Sequence, residues 1–181
     1  INIARSASFS DKNVGVGKMV TISGVSLSGA DAANYTVAAT GSTTADITRL
    51  ASVTWIGGPS GNWFNPANWA GGAVPDLANV AAVDIPAGVS VSFDTTGAVA
   101  PADASGAVEI ESLSSAGSLR QANGNLTVGS GGITLGSLTL EGGELSNAGA
   151  TQLSNFAQSG GSFTGTGDLV ADQFDQTGGT S

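Results

Sequence analysis

Apolar and polar positions alternate in short runs near the start of the chain. Val20-Thr21-Ile22, Val25-Ser26-Leu27, Tyr35-Thr36-Val37 and Ala45-Asp46-Ile47 follow one another, with Gly24, Gly29 and Gly41 between or beside them. A period of two, punctuated by Gly and Asn, predicts half-buried strands of an antiparallel sheet. A complete immunoglobulin-type sandwich takes roughly 100 residues, so residues 1–50 read as an incomplete module of that kind. The next window, 51–80, changes character: all three tryptophans, Trp55, Trp63 and Trp69, fall there among Gly57-Gly58-Pro59, Asn65-Pro66 and Gly71-Gly72. Such dipeptides are strong turn formers, and a regular helix is not expected; the window reads as an ordered cap or junction with aromatic anchors.

Alternation returns in Val83-Asp84-Ile85, Val89-Ser90-Val91-Ser92-Phe93 and Val108-Glu109-Ile110. Beyond these the chain repeats itself. The octets beginning at Leu138, Phe156 and Phe174 superpose their Gly pairs, 142/143, 160/161 and 178/179, at an offset of 18. One unit earlier, the octet from Leu119 fits at an offset of 19, with Asn123-Gly124 where the Gly pair recurs. A β-patterned, Gly-punctuated repeat of this length matches one coil of a β-solenoid, with each coil pairing to its neighbours by parallel ladders. The leucine-rich pattern and the recurrent Asp of calcium-binding nonapeptides are both missing. The expected fold is therefore all-β: a partial Ig-like sandwich, then a right-handed parallel β-helix over 81–181 that breaks off within a repeat.

Composition agrees with that geometry. Gly, Ala, Ser and Thr make up just over half of the 181 residues, which suits tight corners and close stacking, while recurring Leu, Val, Ile and Phe fill the bore. Only 10% of residues are charged and the net charge is −9, so nucleic acid is not an expected partner. The absence of Cys and His excludes thiolate nucleophiles, Ser-His-Asp arrangements, imidazole catalysis and zinc sites built on those ligands. No apolar run approaches the roughly 18 residues of a membrane-spanning helix, so membrane insertion is not expected. The N-terminus Ile1-Asn2-Ile3-Ala4-Arg5 lacks the layout of a signal peptide, and the chain reads as a piece of a longer one.

The segment Phe9-Ser10-Asp11-Lys12-Asn13-Val14-Gly15-Val16-Gly17-Lys18, with Val25 to Val37 and Ala45-Asp46-Ile47-Thr48, resembles the end of a YDG/MBG-type repeat. Such Ig-like modules are strung in tandem in large bacterial surface adhesins. Trp55, Gly57, Gly58, Gly61, Asn62 and Trp63, with Asn65, Asn68 and Trp69, are similar to a Trp-x-Gly-Gly-x-x-Gly-Asn-Trp and Asn-x-x-Asn-Trp unit that introduces secreted β-helices. The joint order resembles the C-terminal part of filamentous-haemagglutinin-like adhesins of the two-partner secretion type, including biofilm-matrix adhesins. The resemblance implies a secreted or cell-surface location, a structural and adhesive role, and passage of the parent protein through an outer-membrane secretion pore.

Three roles are open to these residues. Indole faces stack on sugar rings and Asn amides bond hydroxyls, so Trp55, Trp63, Trp69, Asn62, Asn65 and Asn68 are the candidate carbohydrate-binding set, for an extracellular polysaccharide or a surface glycan. The same rings serve equally well as the plug that every solenoid needs over its terminal coil, and that need favours the plug. Paired carboxylates could cut acidic polysaccharides, with Asp168, Asp172, Asp175, Glu141 and Glu144 as candidates. Their spacings of three and four do not converge on a strand, and only Arg120 lies near the coils to hold an acidic sugar. The expectation is no enzyme, no catalytic residue, no metal site and no cofactor, with self-association at the last, open coil.

Overall fold

The computed structural model describes residues 1–11, 14–96 and 107–181. The chain forms two compact units, Ile1–Arg49 and Leu50–Ser181. Lys12 and Asn13 of the YDG-like segment lie outside the described residues.

The first unit is a three-stranded antiparallel sheet in the order β1 (Asn2–Phe9), β2 (Gly15–Ser28), β3 (Gly41–Ile47). The runs at Val20–Ile22 and Val25–Leu27 are one strand rather than two. Gly24, at φ 63°, lets β2 carry an extra residue opposite β1, where the register shifts between Ala4 and Ser6. Tyr35-Thr36-Val37 joins no ladder; it follows a 3-10 turn at Ala32–Asn34. In-register pairs put Ile3 beside Leu27, Ala7 beside Ile22 and Phe9 beside Val20, so these apolar side chains share one face. Val20 is the one buried hydrophobic residue of this unit among those described.

The second unit is a parallel β-solenoid with three faces. The first face stacks β4 (Leu50–Thr54), β6 (Val80–Asp84), the end of β8 (Ala107–Ser114), the middle of β10 (Asn125–Leu140), β12 (Thr151–Gln158) and β14 (Leu169–Gln176). Along it the pairing runs Val53, Val83, Leu113, Ile133, Thr151, Leu169. The second face adds β5 (Ser60–Asn62), β7 (Ser90–Phe93) and β9 (Ser118–Gln121), and its inward column is Gly61, Val91, Leu119, Leu138, Phe156, Phe174. The third face uses the start of β8 and of β10, then β11 (Glu144–Asn147) and β13 (Ser162–Gly165), with Val108, Leu126, Leu145 and Phe163 inward. Offsets of 18 and 19 expected from the Gly pairs are therefore the rung spacing of the later coils. The first steps, from Val53 to Val83 and from Val83 to Leu113, are 30 residues each; in the first, the tryptophan segment and the loop leading to Val80 lie between β4 and β6.

The bore is apolar and filled: Ile85, Val91, Phe93, Leu113, Val128, Leu138, Leu140, Leu145 and Phe156 are fully buried. Among the described residues, four buried polar ones, Gln121, Asn147, Thr151 and Gln158, sit at or next to coil corners, where backbone carbonyls turn away from the ladders. Gln121 Nε2 donates to the carbonyls of Gly124 (3.1 Å) and Glu144 (2.9 Å), and Gln158 Nε2 donates to that of Thr180 (3.0 Å). Asn147 Nδ2 bonds Gly149 O and Thr151 Oγ1, both at 2.7 Å. These amides supply donors to carbonyls that the corner would otherwise leave unpaired. The second Gly of each repeating pair has positive φ: Gly124 74°, Gly143 75°, Gly161 66° and Gly179 74°. A Cβ on Gly143 would lie 2.0 Å from the Gly124 carbonyl oxygen, so backbone of the adjacent coil occupies the space a side chain would need.

Because each late coil contacts only its neighbours, stability should grow by whole coils. Inserting a second copy of residues 151–168 after Asp168 is expected to give a folded protein with a higher melting temperature and added β signal in circular dichroism. A duplication that fails to fold, or melts lower, would show that the coils are not interchangeable rungs.

Candidate functional site

The tryptophan segment folds over the first coil. β4 pairs on one side with β6; its other edge is met by the chain returning at Asn68–Ala70. Trp55 and Trp69 form an antiparallel bridge, Ile56 N donates to Asn68 O at 2.8 Å, and Ala70 N donates to Thr54 O at 3.1 Å. At the end of the solenoid's first strand, residues 54–56 are thus bridged on their outer edge, which shortens the template open to strand addition.

All three indoles point into the core. Trp55, Trp63 and Trp69 are 3%, 0% and 1% exposed. Trp69 sits between the others, with ring centroids 5.0 Å from Trp55 and 4.9 Å from Trp63 in edge-to-face geometry. Phe93 continues the cluster, 5.6 Å from Trp63 and 4.8 Å from Phe64. Edge-to-face pairs of this kind are worth about 0.5–1.5 kcal/mol beyond their area. Trp55 Nε1 donates to Gly58 O (2.8 Å) and Trp69 Nε1 to Trp63 O (2.7 Å), so two indole donors close the loop on itself. Trp63 Nε1 is buried with no hydrogen-bond partner.

The asparagines are engaged too. Asn62 accepts from Phe64 N (2.9 Å) and donates to Asp94 O (2.8 Å), tying the first coil to the second. Asn68 donates to Asn62 O at 2.9 Å. Asn65 is exposed and caps the 3-10 turn at Pro66–Asn68 by accepting from Ala67 N at 3.1 Å. The glycines of the motif follow from Asn68: a Cβ on Gly57 would lie 2.5 Å from its Oδ1, and one on Gly61 2.8 Å from its Nδ2. This arrangement brings five of the six candidate residues into one packed, internally bonded cap. It turns no indole face to solvent, so a sugar ring has no tryptophan to stack on in this conformation.

Three contributors carry little signal in the sequence. Phe64 and Phe93 complete the aromatic cluster, and Asn79 holds the return loop by donating to Val74 O and accepting from Asp76 N. A second polar clamp joins Asp94–Thr96 to the Asn123-Gly124 corner. Asn123 Oδ1 accepts from Thr95 N (2.8 Å) and Thr95 Oγ1 (2.7 Å), and its Nδ2 donates to Asp94 Oδ1 (2.8 Å). The Thr96 backbone N–H, followed by the Asn123 amide, holds the Asp94 carboxyl below its ordinary value.

The carboxylates do not gather. Glu141 is paired with Arg120 and Glu144 accepts from Thr164, while Asp175 lies in register with Ala157 on the second face. The Arg120 guanidinium is held above its ordinary value chiefly by its hydrogen bond to Glu141. Among the described residues no group of three or more Asp, Glu, His or Cys could hold a metal ion. No helix among them is long and apolar enough to cross a membrane.

The YDG domain family matches residues 1–58, in agreement with the YDG/MBG-type resemblance. The match covers the antiparallel sheet and runs on through β4 into the Gly57-Gly58 turn. No curated protein matches the chain, and no solved structure does. A match to the YDG domain and a β-solenoid fold are compatible with a structural or adhesive segment.

Trp63→Ala is expected to cost about 3–5 kcal/mol of stability by opening a cavity in the core. Trp63→Phe should cost much less, because it keeps most of the packing and removes the one unpaired indole donor. Equal losses in chemical denaturation would show that this donor is not stranded.

A depressed carboxyl pKa contributes stability above the unfolded value and loses it as pH falls through the folded one. The Asp94–Thr96 clamp should therefore persist at the ordinary Asp value of 3.8 and release only below it. NMR titration should find Asp94 low in the parent and returned toward 3.8 by Asn123→Ala; an ordinary value in the parent would show that the clamp does not form.

Proposed function

We propose that this chain is a structural and adhesive segment of an extracellular bacterial surface protein: a solenoid stalk that holds attachment to a cell surface or biofilm matrix at a distance from its anchor. The observation that carries this reading is the succession of parallel ladders from β4 to β14, with the tryptophan loop bridged to the end of the first strand. Each coil adds one rung of about 4.8 Å, so length grows in small equal steps without a new core being needed. The YDG domain over residues 1–58 supports the same reading through the tandem arrangement of such modules in surface adhesins. Secretion through an outer-membrane pore and a location at the cell surface follow from that reading. A catalytic role is not part of it: the acids are spread over different faces and Arg120, the solenoid's one basic residue, is committed to Glu141. The six-residue carbohydrate set is not part of it either, since its rings form the cap.

The test uses reach. Residues 1–181 are displayed on a non-adherent bacterium with a lectin module fused beyond them, and retention under flow is measured on a surface carrying that lectin's ligand. Inserting further copies of the 18-residue coil 151–168 should raise retention stepwise. Retention indifferent to coil number would overturn the stalk reading.

A further inference from the structure

The solenoid surface has two kinds of polar cluster. Some are internally bonded: Arg120 with Glu141, Ser130 with Glu111, Thr164 with Glu144, and Asn123 with Asp94 and Thr96. Others are not, and one of these stands at a groove. Where the first face turns into the second, a groove of about 290 Å³ runs across three late coils. Its sides carry Thr134, Gln152 and Ser154, and its far end carries Asp172. None of these four side chains makes a hydrogen bond within the described residues, and all four are exposed.

Register explains the groove. Thr134, Gln152 and Val170 stack outward on the first face, one per coil. Each ladder then skips one residue, passing from Leu135, Leu153 and Ala171 to Ser137, Asn155 and Gln173, and the skipped positions are Gly136, Ser154 and Asp172. At Gly136 there is no side chain to fill the corner, and the Ala116 carbonyl oxygen lies 2.6 Å from where its Cβ would be. Leu135 and Leu153, buried at 3% and 5% exposure, turn their side chains into the core beneath the groove, and Val170, 59% exposed, is its apolar wall. Hydroxyl, amide and carboxylate groups beside an exposed aliphatic side chain are what a pyranose ring needs: a C–H face rests on Val170 while ring hydroxyls bond the polar groups.

Charge narrows the class. Leu50–Ser181 holds eleven of the fourteen acidic residues and one of the five basic ones, a net of −10. Asp172, with no basic partner, stands in the groove itself. A uronate or sulfated glycan would be repelled, and an ammonium on the sugar would find its counter-charge.

We propose that the groove formed by Thr134, Gln152, Ser154, Val170 and Asp172 is a lateral binding site for an amine-bearing glycan chain. It goes beyond the stalk role and does not depend on it: reach would be unaffected by loss of this site. One or two sugar units fill the groove, with an amino group on Asp172 and hydroxyls on Gln152 and Ser154. Since the groove crosses successive coils, a stalk made of such coils could hold matrix polysaccharide along its side.

The test is calorimetric titration of residues 1–181 with glucosamine oligosaccharides, with neutral dextran and alginate oligomers as comparison probes, at pH 6 and low salt. Binding is expected for the glucosamine oligomer and not for alginate, and it should weaken as salt rises. Asp172→Asn and Gln152→Ala should each weaken it at least tenfold with an unchanged melting temperature. Thr127→Ala, on the third face, should leave it unaltered. The proposal is overturned if the parent does not bind at millimolar oligomer, if alginate or dextran binds as well as the glucosamine chain, or if Asp172→Asn weakens binding no more than Thr127→Ala does.

Discussion

Parallel in-register stacking is the constraint from which the rest of the solenoid follows. Once one coil's backbone bonds to the next at about 4.8 Å, every inward side chain has the corresponding residue of its neighbours directly above and below. The column Val91, Leu119, Leu138, Phe156, Phe174 is the result: each member before the last is covered on both sides and must be apolar, while Phe174, with one neighbour, is 50% exposed. Corners obey the same rule more strictly. Backbone passes close to backbone there, which is why a Cβ on Gly143 would meet the Gly124 carbonyl, and why buried Gln121 and Gln158 recur where corner carbonyls need donors. The small-residue composition is a consequence of this spacing.

The late coils were legible because this constraint repeats without insertions. Gly pairs at 142/143, 160/161 and 178/179 mark equivalent corners, and the 19-residue step back to Asn123-Gly124 is seen in the pairing of Leu119 with Leu138. The early coils were not, since no periodicity survives loops that stretch the step from Val53 to Val83 to 30 residues. Two expected strands at Val20–Ile22 and Val25–Leu27 merged for a related reason: a glycine was read as a turn when its positive φ makes a bulge. Tyr35-Thr36-Val37 alternates correctly yet finds no partner strand, and alternation alone cannot say whether one is available.

The tryptophan segment shows where sequence reading stops. Its residue types suit both a sugar-binding surface and a cap, because the indole is apolar on its faces and polar at one edge in either setting. Which way the rings turn depends on a loop with no period. Here the loop returns to pair with β4, so the rings go inward and the Asn amides are consumed by backbone groups of the same loop. Glycines 57 and 61 were the readable clue, since both leave room for Asn68; a motif whose small residues make space for its own side chains is built for packing.

Electrostatics add a further consequence of the fold. Net charge on the solenoid is −10, yet in-register stacking would place like charges about 4.8 Å apart if an acid recurred at one position in each coil. The sequence avoids this. Glu109 stacks on Thr127, Ser146 and Thr164, and Glu144 stands between Asn125 and Ser162, so among the described pairs neither acid stacks on another acid. A coil repeat that was identical in every residue would stack charge on charge, so the chain can repeat its Gly pairs and its apolar columns closely but must vary its outward positions. Variation outside and repetition inside are two effects of one ladder, and the outward positions are left free to differ in chemistry from coil to coil.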